Sequence, residues 1–246
     1  MNRIEMMNCP MDCATMDETV EAIAKRIADG VFTQHVVVNV AKIVNMQSDP
    51  ELAESVKYCD IINIDGMGVV WGARMLGFDV PERVAGIDLF HALNARAAQE
   101  KQSVYYLGAK EDIVAKATQT MQQQYPGLHV AGYHHGYFWD DEAAVVEKIK
   151  ASGAKLLFVA ITSPKKERFI NKWKADLGVQ FVMGIGGTLD VVAGKVERAP
   201  TWMQNAGLEW LYRLIQEPGR MFNRYMRSNS LFVWMLLKAK LTGKTH

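Results

Sequence analysis

The sequence predicts an α/β protein in which a mostly parallel sheet is covered by helices on both faces. Short apolar or β-branched runs alternate with segments of helical spacing, at intervals of about fifteen to twenty-five residues. The length of 246 residues fits one large domain of this class, alone or with a small appendage. Because the alternation stops after residue 200, we predict an α/β core over residues 1–200 and a helical appendage over residues 201–246.

Seven short segments predict strands. Most are rich in Val, Ile, Leu or Phe, and continuous apolar runs of this length are typical of strands that are buried on both faces. The predicted strands lie at residues 3–8, 35–40, 61–64, 104–107, 128–130, 156–161 and 179–183.

The segments between these strands predict helices because their apolar residues recur every three or four positions. Thr15 or Asp17 can cap the first helix, and Asp49-Pro50 is a typical opening for another. The predicted helices cover residues 17–27, 50–59, 69–76, 88–99, 111–125, 140–150, 164–177, 201–216 and 218–240.

The chain is organised around residues 61–86, where the apolar strand breaks abruptly at Asp65-Gly66. Ligands of α/β proteins bind where strand C-termini open onto helix N-termini, although an Asp-Gly at a strand end is as often only a turn. Arg83 lies beyond the next predicted helix, on a neighbouring loop. An acid can take a hydroxyl proton and an arginine can bind phosphate, so Asp65 and Arg83 are candidate site residues.

Two further strand ends carry polar residues or glycine. Asn39 ends the strand at residues 35–40, where its amide can face a ligand or cap a helix that begins at Ala41, and the two roles are equally favoured. The loop at residues 184–190 is rich in glycine, which lets the backbone approach a phosphate or a sugar closely. It matches neither the GxGxxG nor the GxxxxGK[ST] spacing, which argues against NAD and excludes a P-loop.

Charge is unevenly distributed along the chain. Residues 198–246 carry eight Lys or Arg and two Glu, a net charge of +6, so residues 1–197 sum to −5 within the total of +1. Arg220, Arg224 and Arg227 share one face of the last predicted helix, and residues 231–237 (LFVWMLL) are all apolar. Such a helix can lie in a membrane interface with its arginines on lipid phosphates, or it can pack on the core with a solvated basic face. The concentration of arginines and aromatic residues favours membrane contact.

The remaining composition predicts a protein of a reducing compartment. The three cysteines, Cys9, Cys13 and Cys59, are odd in number and have no metal-ligand spacing. The N-terminal sequence has no long apolar core, so we expect no signal peptide. No apolar run approaches the roughly 18–20 residues that a membrane span needs.

Taken in chain order, these features resemble the WecG/TagA/CpsF glycosyltransferases of glycosyltransferase family 26. Each matching stretch is weakly specific alone, but the ordered set covers nearly the whole chain. The matching stretches are Asn39, Asp65-Gly66-Met67-Gly68, Arg83-Val84-Ala85-Gly86, Leu107-Gly108-Ala109-Lys110, Tyr125-Pro126-Gly127-Leu128, Gly136-Tyr137-Phe138, Ser163-Pro164-Lys165-Lys166-Glu167, Gly186-Gly187, the run from Ala193 to Pro200, and Gly207-Leu208-Glu209-Trp210.

The resemblance implies a Rossmann-like sheet and an inverting glycosyltransferase that needs no metal or other cofactor. The implied reaction moves a sugar from a UDP-sugar to an undecaprenyl-diphosphate-linked saccharide in cell-surface polysaccharide biosynthesis. The implied catalytic residues are Asp65, as the base, and Arg83. Residues implied around the donor and its nucleotide are Asn39, Gly66, Gly108, Tyr137, Lys166, Gly186, Gly187 and Asp190. Those implied for the acceptor and the membrane are Arg213, Arg220, Arg224 and Arg227.

The resemblance also implies a peripheral position on the cytoplasmic face of the inner membrane, where an anionic lipid surface is a partner. Self-association stays open, and no nucleic-acid partner is expected. Two departures bear on the donor sugar, because the family often has Thr where this chain has Val37, and Gln where it has Lys166. The donor therefore stays open among N-acetylmannosamine, its uronic acid and a neutral hexose.

The residue types fit this chemistry on their own terms. Inverting transfer needs a base for the acceptor proton and positive charge for the departing diphosphate. Asp65 can supply the first, and Arg83, Lys166 and the arginines of the appendage can supply the second. Two alternatives stay open, a soluble nucleotide-sugar hydrolase or epimerase with a helical dimer contact in the appendage, and a non-enzymatic nucleotide-sugar sensor. Only a lipid-linked acceptor accounts for the basic, aromatic appendage.

Overall fold

The computed structural model describes residues 1–243, apart from the side chain of Arg220. The strands of these residues are β1 (Asn2–Met6), β2 (Cys9–Cys13), β3 (Thr33–Val38), β4 (Ile61–Ile64), β5 (Ser103–Gly108), β6 (His129–His134), β7 (Leu156–Ala160) and β8 (Phe181–Gly184). The helices are α1 (Met16–Ala28), α2 (Val40–Met46), α3 (Pro50–Lys57), α4 (Met67–Met75), α5 (Gly86–Gln99), α6 (Glu111–Gln124), α7 (Glu142–Ala151), α8 (Lys165–Trp173), α9 (Thr188–Val192), α10 (Thr201–Asn205), α11 (Glu209–Gln216) and α12 (Pro218–Thr242).

All eight strands join one sheet in the order β1-β2-β4-β3-β8-β7-β5-β6. Only β1 and β2 pair antiparallel, and every other neighbouring pair is parallel. The predicted mostly parallel sheet is therefore confirmed. Since parallel strands all end at the same edge, the loops after β3, β4, β5, β7 and β8 meet at one end of the molecule.

Both faces of the sheet are buried, as the continuous apolar runs predict. Alternate residues of the central strands, such as Tyr106 and Phe158, pack with α1, α5, α6 and α9 on one face. The opposite face is divided between a cluster under α2, α3, α4 and α12 and a second cluster under α7 and α8. This two-sided burial is what a parallel α/β sheet requires.

The helix starts follow the capping signals in the sequence. Thr15 caps α1 in a capping box with Glu18, so of the two predicted caps Thr15 is the one observed. Asp49 caps α3 by accepting from the Leu52 N–H at 3.0 Å, and Pro50 occupies the first turn.

Two predictions of local structure were wrong. The single strand predicted at residues 3–8 is a hairpin, because Met7 and Asn8 adopt left-handed conformations and turn the chain back into β2. The single helix predicted at residues 201–216 is broken into α10 and α11, because Gly207 adopts φ +72°. A side chain at Gly207 would also lie 2.8 Å from Met67 Cγ of α4, so the break brings the chain close to α4.

The last helix combines the two arrangements that the sequence left open. Phe232 and Leu236 are buried in the cluster under α2 and α4, and a Cβ added at Gly72 would lie 3.0 Å from Leu236 Cδ2. One stripe of the helix therefore packs on the core, and membrane contact by the rest of residues 231–237 stays a prediction. Trp234 and Leu237 are more than half exposed on the outer face. No helix within residues 1–243 is long and apolar enough to cross a membrane.

Candidate functional site

Asn39 and Gly66 lie side by side where β3 and β4 end. A Cβ added at Gly66 would lie 3.3 Å from Asn39 Cβ, which explains the need for glycine beside this side chain. Asn39 caps α2, and its Oδ1 accepts from the Lys42 N–H at 3.0 Å. The capping role is therefore confirmed, and the cap uses only the oxygen of the amide. Within the described part of the chain, the Asn39 Nδ2 group has no hydrogen-bond partner, so it is free to donate to a ligand.

Asp65 follows β4 at the same edge. Its backbone N–H donates to the Val38 carbonyl at 2.9 Å, and its Oδ1 accepts from the Gly86 N–H at 3.3 Å. The residue as a whole is half-buried, but its carboxyl is surrounded closely enough that burial raises its pKa. Arg83 and Arg213 oppose this effect and favour the charged form. A carboxylate held in this way can act as a base for a hydroxyl group.

Arg83 lies on the loop between α4 and α5. The Val84 N–H donates to the Ile64 carbonyl at 2.9 Å, which attaches this loop to the end of β4. Arg83 Nη1 donates to Glu209 Oε2 of α11 at 3.0 Å. Asp65 and Arg83 thus lie on neighbouring loops, as the sequence predicts, and the ion-pair partner of Arg83 is Glu209, which the sequence analysis did not identify.

Lys166 lies in a buried cluster of charges beside β8. Its Nζ lies 3.0 Å from Glu167 Oε1, and Lys42 Nζ lies 2.8 Å from the same oxygen. Burial, together with Lys42, lowers the Lys166 pKa to about 8. Burial acts to raise the Glu167 pKa, but the two lysines outweigh it and lower the pKa to about 2. A Cβ added at Gly184 would lie 2.6 Å from Lys166 Cε, so glycine at the end of β8 makes room for this lysine.

Gly108, which the resemblance places near the nucleotide, lies in a loop where backbone segments approach each other closely. Gly108 has φ +131°, and a Cβ there would lie 2.3 Å from the Ala160 carbonyl oxygen. Gly136 packs directly on Gly108, and its N–H donates to the Ala109 carbonyl at 2.9 Å. Tyr137, next in the chain, is 68% exposed. An exposed ring beside a tightly packed glycine turn is suited to contact with a nucleotide.

The loop after β8 supplies Gly186 and Gly187. Gly186 has φ +53°, and a Cβ at either glycine would meet no atom within 4 Å, so their backbone is open to a ligand. Asp190, in the short helix α9, pairs with Lys195 at 2.8 Å. The Asp190 carboxylate raises the pKa of Lys195.

The appendage meets the loop of Arg83 through the ion pair with Glu209. The charge of Arg213 acts on Asp65, and that of Arg224 acts on Lys166. Arg213, Arg224 and Arg227 are all exposed, whereas the side chain of Arg220 lies outside the described part of the structure. Their role toward an acceptor stays a prediction.

The sequence analysis assigned no role to several charged residues of the site. They are engaged in ion pairs between distant segments, a feature with no local sequence signal. These residues are Lys42, Asp88, Glu167, Arg198 and Glu209. Among residues 1–243, no group of three or more His, Cys, Asp or Glu side chains is arranged to hold a metal ion.

Two open hollows of about 510 and 430 Å³ lie away from this edge. One is lined by residues at the starts of β3, β4 and β8, and the other lies between α1 and α5. Neither contains the acid, the arginines or the glycine loops described above. The C-terminal edge of the sheet therefore remains the candidate site.

A carboxylate whose pKa burial raises and whose charged form two arginines favour, on the C-terminal edge of a parallel sheet, is suited to group transfer with an anionic substrate. The chain belongs to the WecG/TagA/CpsF family of glycosyl transferases, whose sequence profile matches residues 4–246. A relative from Bacillus spizizenii is 35% identical over 199 residues, which cover 80% of this chain and 76% of the relative. That relative is named N-acetylglucosaminyldiphosphoundecaprenol N-acetyl-β-D-mannosaminyltransferase.

Proposed function

We propose that this glycosyltransferase moves an N-acetylmannosaminyl group from a UDP-sugar to N-acetylglucosamine carried on undecaprenyl diphosphate, in cell-surface polysaccharide biosynthesis. The observation that carries the proposal is Asp65, a base candidate at the sheet edge whose pKa burial raises and whose charged form Arg83 and Arg213 favour. The named activity of the relative favours N-acetylmannosamine over its uronic acid and over a neutral hexose.

The chemistry is a single displacement with inversion. Asp65 takes the proton of the acceptor hydroxyl while that oxygen forms the new bond to the anomeric carbon. The bond between the anomeric carbon and the UDP oxygen breaks, and its electron pair leaves with UDP. Because the nucleophile enters opposite the leaving group, one base on the acceptor side is sufficient.

Protein cations can stabilise the departing diphosphate. Arg83 and Arg213 both lie close enough to influence Asp65, and guanidinium groups bind phosphate oxygens with charge-assisted hydrogen bonds. Lys166 adds a charge at the end of β8, where it pairs with Glu167, which also pairs with Lys42. We propose that these groups supply the charge stabilisation without a metal ion.

The outer surface of the appendage suits a peripheral membrane location, on the cytoplasmic face of the inner membrane. Large apolar side chains are exposed along α10, α11 and α12, and arginines lie among them. Such a surface can insert apolar side chains while its arginines contact anionic lipid. The exposed residues are Trp202, Trp210, Ile215, Phe222, Met226, Leu231, Val233, Trp234, Leu237 and Leu241.

The test is transfer by the full-length protein from UDP-N-acetylmannosamine to a synthetic N-acetylglucosamine-diphosphate lipid. We expect UDP release only when the acceptor is present, with a β-linked product, and we expect activity to persist in EDTA. UDP-sugar cleavage without acceptor would indicate a hydrolase, and binding without any product would indicate a sensor. Activity lost in EDTA and restored by magnesium or manganese would contradict the metal-free mechanism.

A further inference from the structure

Glu209, the first residue of α11, bridges two arginines from different parts of the chain. Its Oε2 accepts from Arg83 Nη1 at 3.0 Å, and its Oε1 accepts from Arg198 Nε at 3.3 Å. The Arg83 and Glu209 side chains are only 15% and 14% exposed. Solvent screens an ion pair in such a place much less than it screens a surface pair.

Arg198, the second partner of Glu209, is itself held by an ion pair. Arg198 donates to both carboxylate oxygens of Asp88 on α5, from Nη1 at 2.5 Å and from Nη2 at 2.8 Å. A bidentate pair of this kind restricts the arginine in orientation as well as in position. Glu209 is thus held between the loop that carries Arg83 and an arginine anchored on the core.

The bridge leaves most of the Arg83 guanidinium available. Within the described part of the chain, Nη1 is its only nitrogen with a hydrogen-bond partner. Its Nε and Nη2 groups remain for an anionic ligand. Glu209 can therefore hold the guanidinium in place without occupying the donors that a diphosphate needs.

Arg213 follows Glu209 by four residues in α11, so the two side chains share one helix face. Arg213 acts electrostatically on Asp65, as Arg83 does. One helix face therefore carries both the partner of Arg83 and a second cation for Asp65.

We propose that Glu209 is a positioning residue of the transfer reaction, which holds the Arg83 guanidinium beside Asp65 and fixes α11 against the site. The proposal rests on the roles proposed above for Asp65 and Arg83. It assigns to an acid of the appendage a function that a lipid-binding surface would not need.

The test compares Glu209→Ala and Glu209→Gln with a control, Glu147→Gln on the exposed face of α7, all in the full-length protein. We expect Glu209→Ala to weaken UDP binding, measured by calorimetry, and to lower kcat/KM by roughly 10- to 100-fold, the loss typical of a charged hydrogen bond. Glu209→Gln should lose less, because its amide oxygen can still accept from Arg83. The control should match the wild type.

The pH profile separates positioning from a simple charge effect. The groups that act on Asp65 are Arg83, Arg213, Glu209 and the Gly86 N–H, and Arg83 lowers the Asp65 pKa more than Glu209 raises it. If Glu209→Ala releases Arg83, the acid limb of kcat/KM moves to higher pH. If Arg83 stays in position without Glu209, the acid limb of the pH profile moves to lower pH, because only the charge of Glu209 is lost. That result, with an unchanged maximal kcat/KM, would overturn the proposal. Tighter UDP binding or faster transfer would also overturn it, since Glu209 would then compete with substrate for Arg83.

A double-mutant cycle provides a test that does not depend on the proposed reaction. It compares the free energy of unfolding of Arg83→Gln, Glu209→Gln and the double variant, measured by thermal unfolding. Positioning requires that the two substitutions are not additive, because they remove the same ion pair. Additive effects would overturn it. If the wild type transfers no sugar while the coupling and the loss of UDP binding persist, the proposed reaction fails, but Glu209 is still shown to position Arg83 for UDP binding.

Discussion

Glu167→Gln is the substitution whose effect the structure defines most sharply. Glu167 is 3% exposed, and one of its oxygens accepts from both Lys42 and Lys166. Glutamine keeps the shape of the side chain but removes the negative charge, so two buried ammonium groups lose their counter-ion. Removing one partner of a buried ion pair typically destabilises a protein by about 3–5 kcal/mol.

The pKa of Glu167 gives a consistent magnitude. Its pKa is lowered from 4.5 to about 2, and a shift of this size corresponds to about 3 kcal/mol in favour of the charged form. For a chain of this length, each kcal/mol changes Tm by roughly 2–4 °C, so we expect Glu167→Gln to unfold about 6–12 °C below the wild type.

The dependence on pH follows from the direction of the shift. Because the folded-state pKa is depressed, the stabilisation by Glu167 is fully present above about pH 4.5 and is lost as the pH falls towards 2. The Glu167→Gln variant has no carboxylate to protonate at this position, so its stability should not fall for this reason. Wild type and variant should therefore differ most at neutral pH and converge in acid.

Thermal unfolding followed by circular dichroism at several pH values measures both effects. Glu147→Gln on α7 is the matched control, because it makes the same chemical change at an exposed position and should shift stability by no more than about 0.5 kcal/mol. A Glu167→Gln variant that unfolds within about 2 °C of the wild type at neutral pH would refute the assignment of a stabilising buried triad.

Three further predictions concern activity and membrane binding. Asp65→Asn should keep UDP binding but lower kcat by roughly 10²–10⁴-fold, and near-normal turnover would exclude Asp65 as the base. Lys166→Gln should weaken UDP binding and lower kcat/KM with UDP-N-acetylmannosamine by roughly tenfold or more, because one cation proposed for the diphosphate is lost, and unchanged UDP binding would count against that role. Replacing the exposed Trp234 and Leu237 together by Ser should leave Tm unchanged but weaken sedimentation with anionic vesicles by roughly tenfold or more, because apolar insertion is lost. Unchanged pelleting would show that this face is not the membrane contact.

The fold was predictable because a parallel sheet buried on both faces leaves continuous apolar runs in the sequence. The strand ends could also be placed, and since parallel strands end at one edge of the sheet, Asn39 and Asp65 were expected there. The two local errors have conformational causes. The hairpin turn uses the non-glycine residues Met7 and Asn8 in left-handed conformations, and the break in the appendage depends on the single residue Gly207.

The charge network of the site was predictable only in part. Arg83 and Glu209 are 126 residues apart, and Lys42 and Glu167 are 125 residues apart. Helical or strand periodicity carries no information on such pairs, since they depend on how separate elements are docked. Lys166 could be proposed as a cation of the site, but its burial against Glu167 could not.

The two final helices have different relations to the core, and the difference bears on how the membrane and the reaction are connected. Helix α12 packs Phe232 and Leu236 on the core while its outer face is exposed and apolar. Helix α11 has no buried residue of its own, and it meets the active-site loop through the ion pair of Glu209 with Arg83. If the appendage binds lipid as proposed, a force at that surface would move α11 more easily than α12, because only α12 has side chains buried in the core. Since α11 also carries Arg213, any displacement of this helix changes the two cations of Asp65 together.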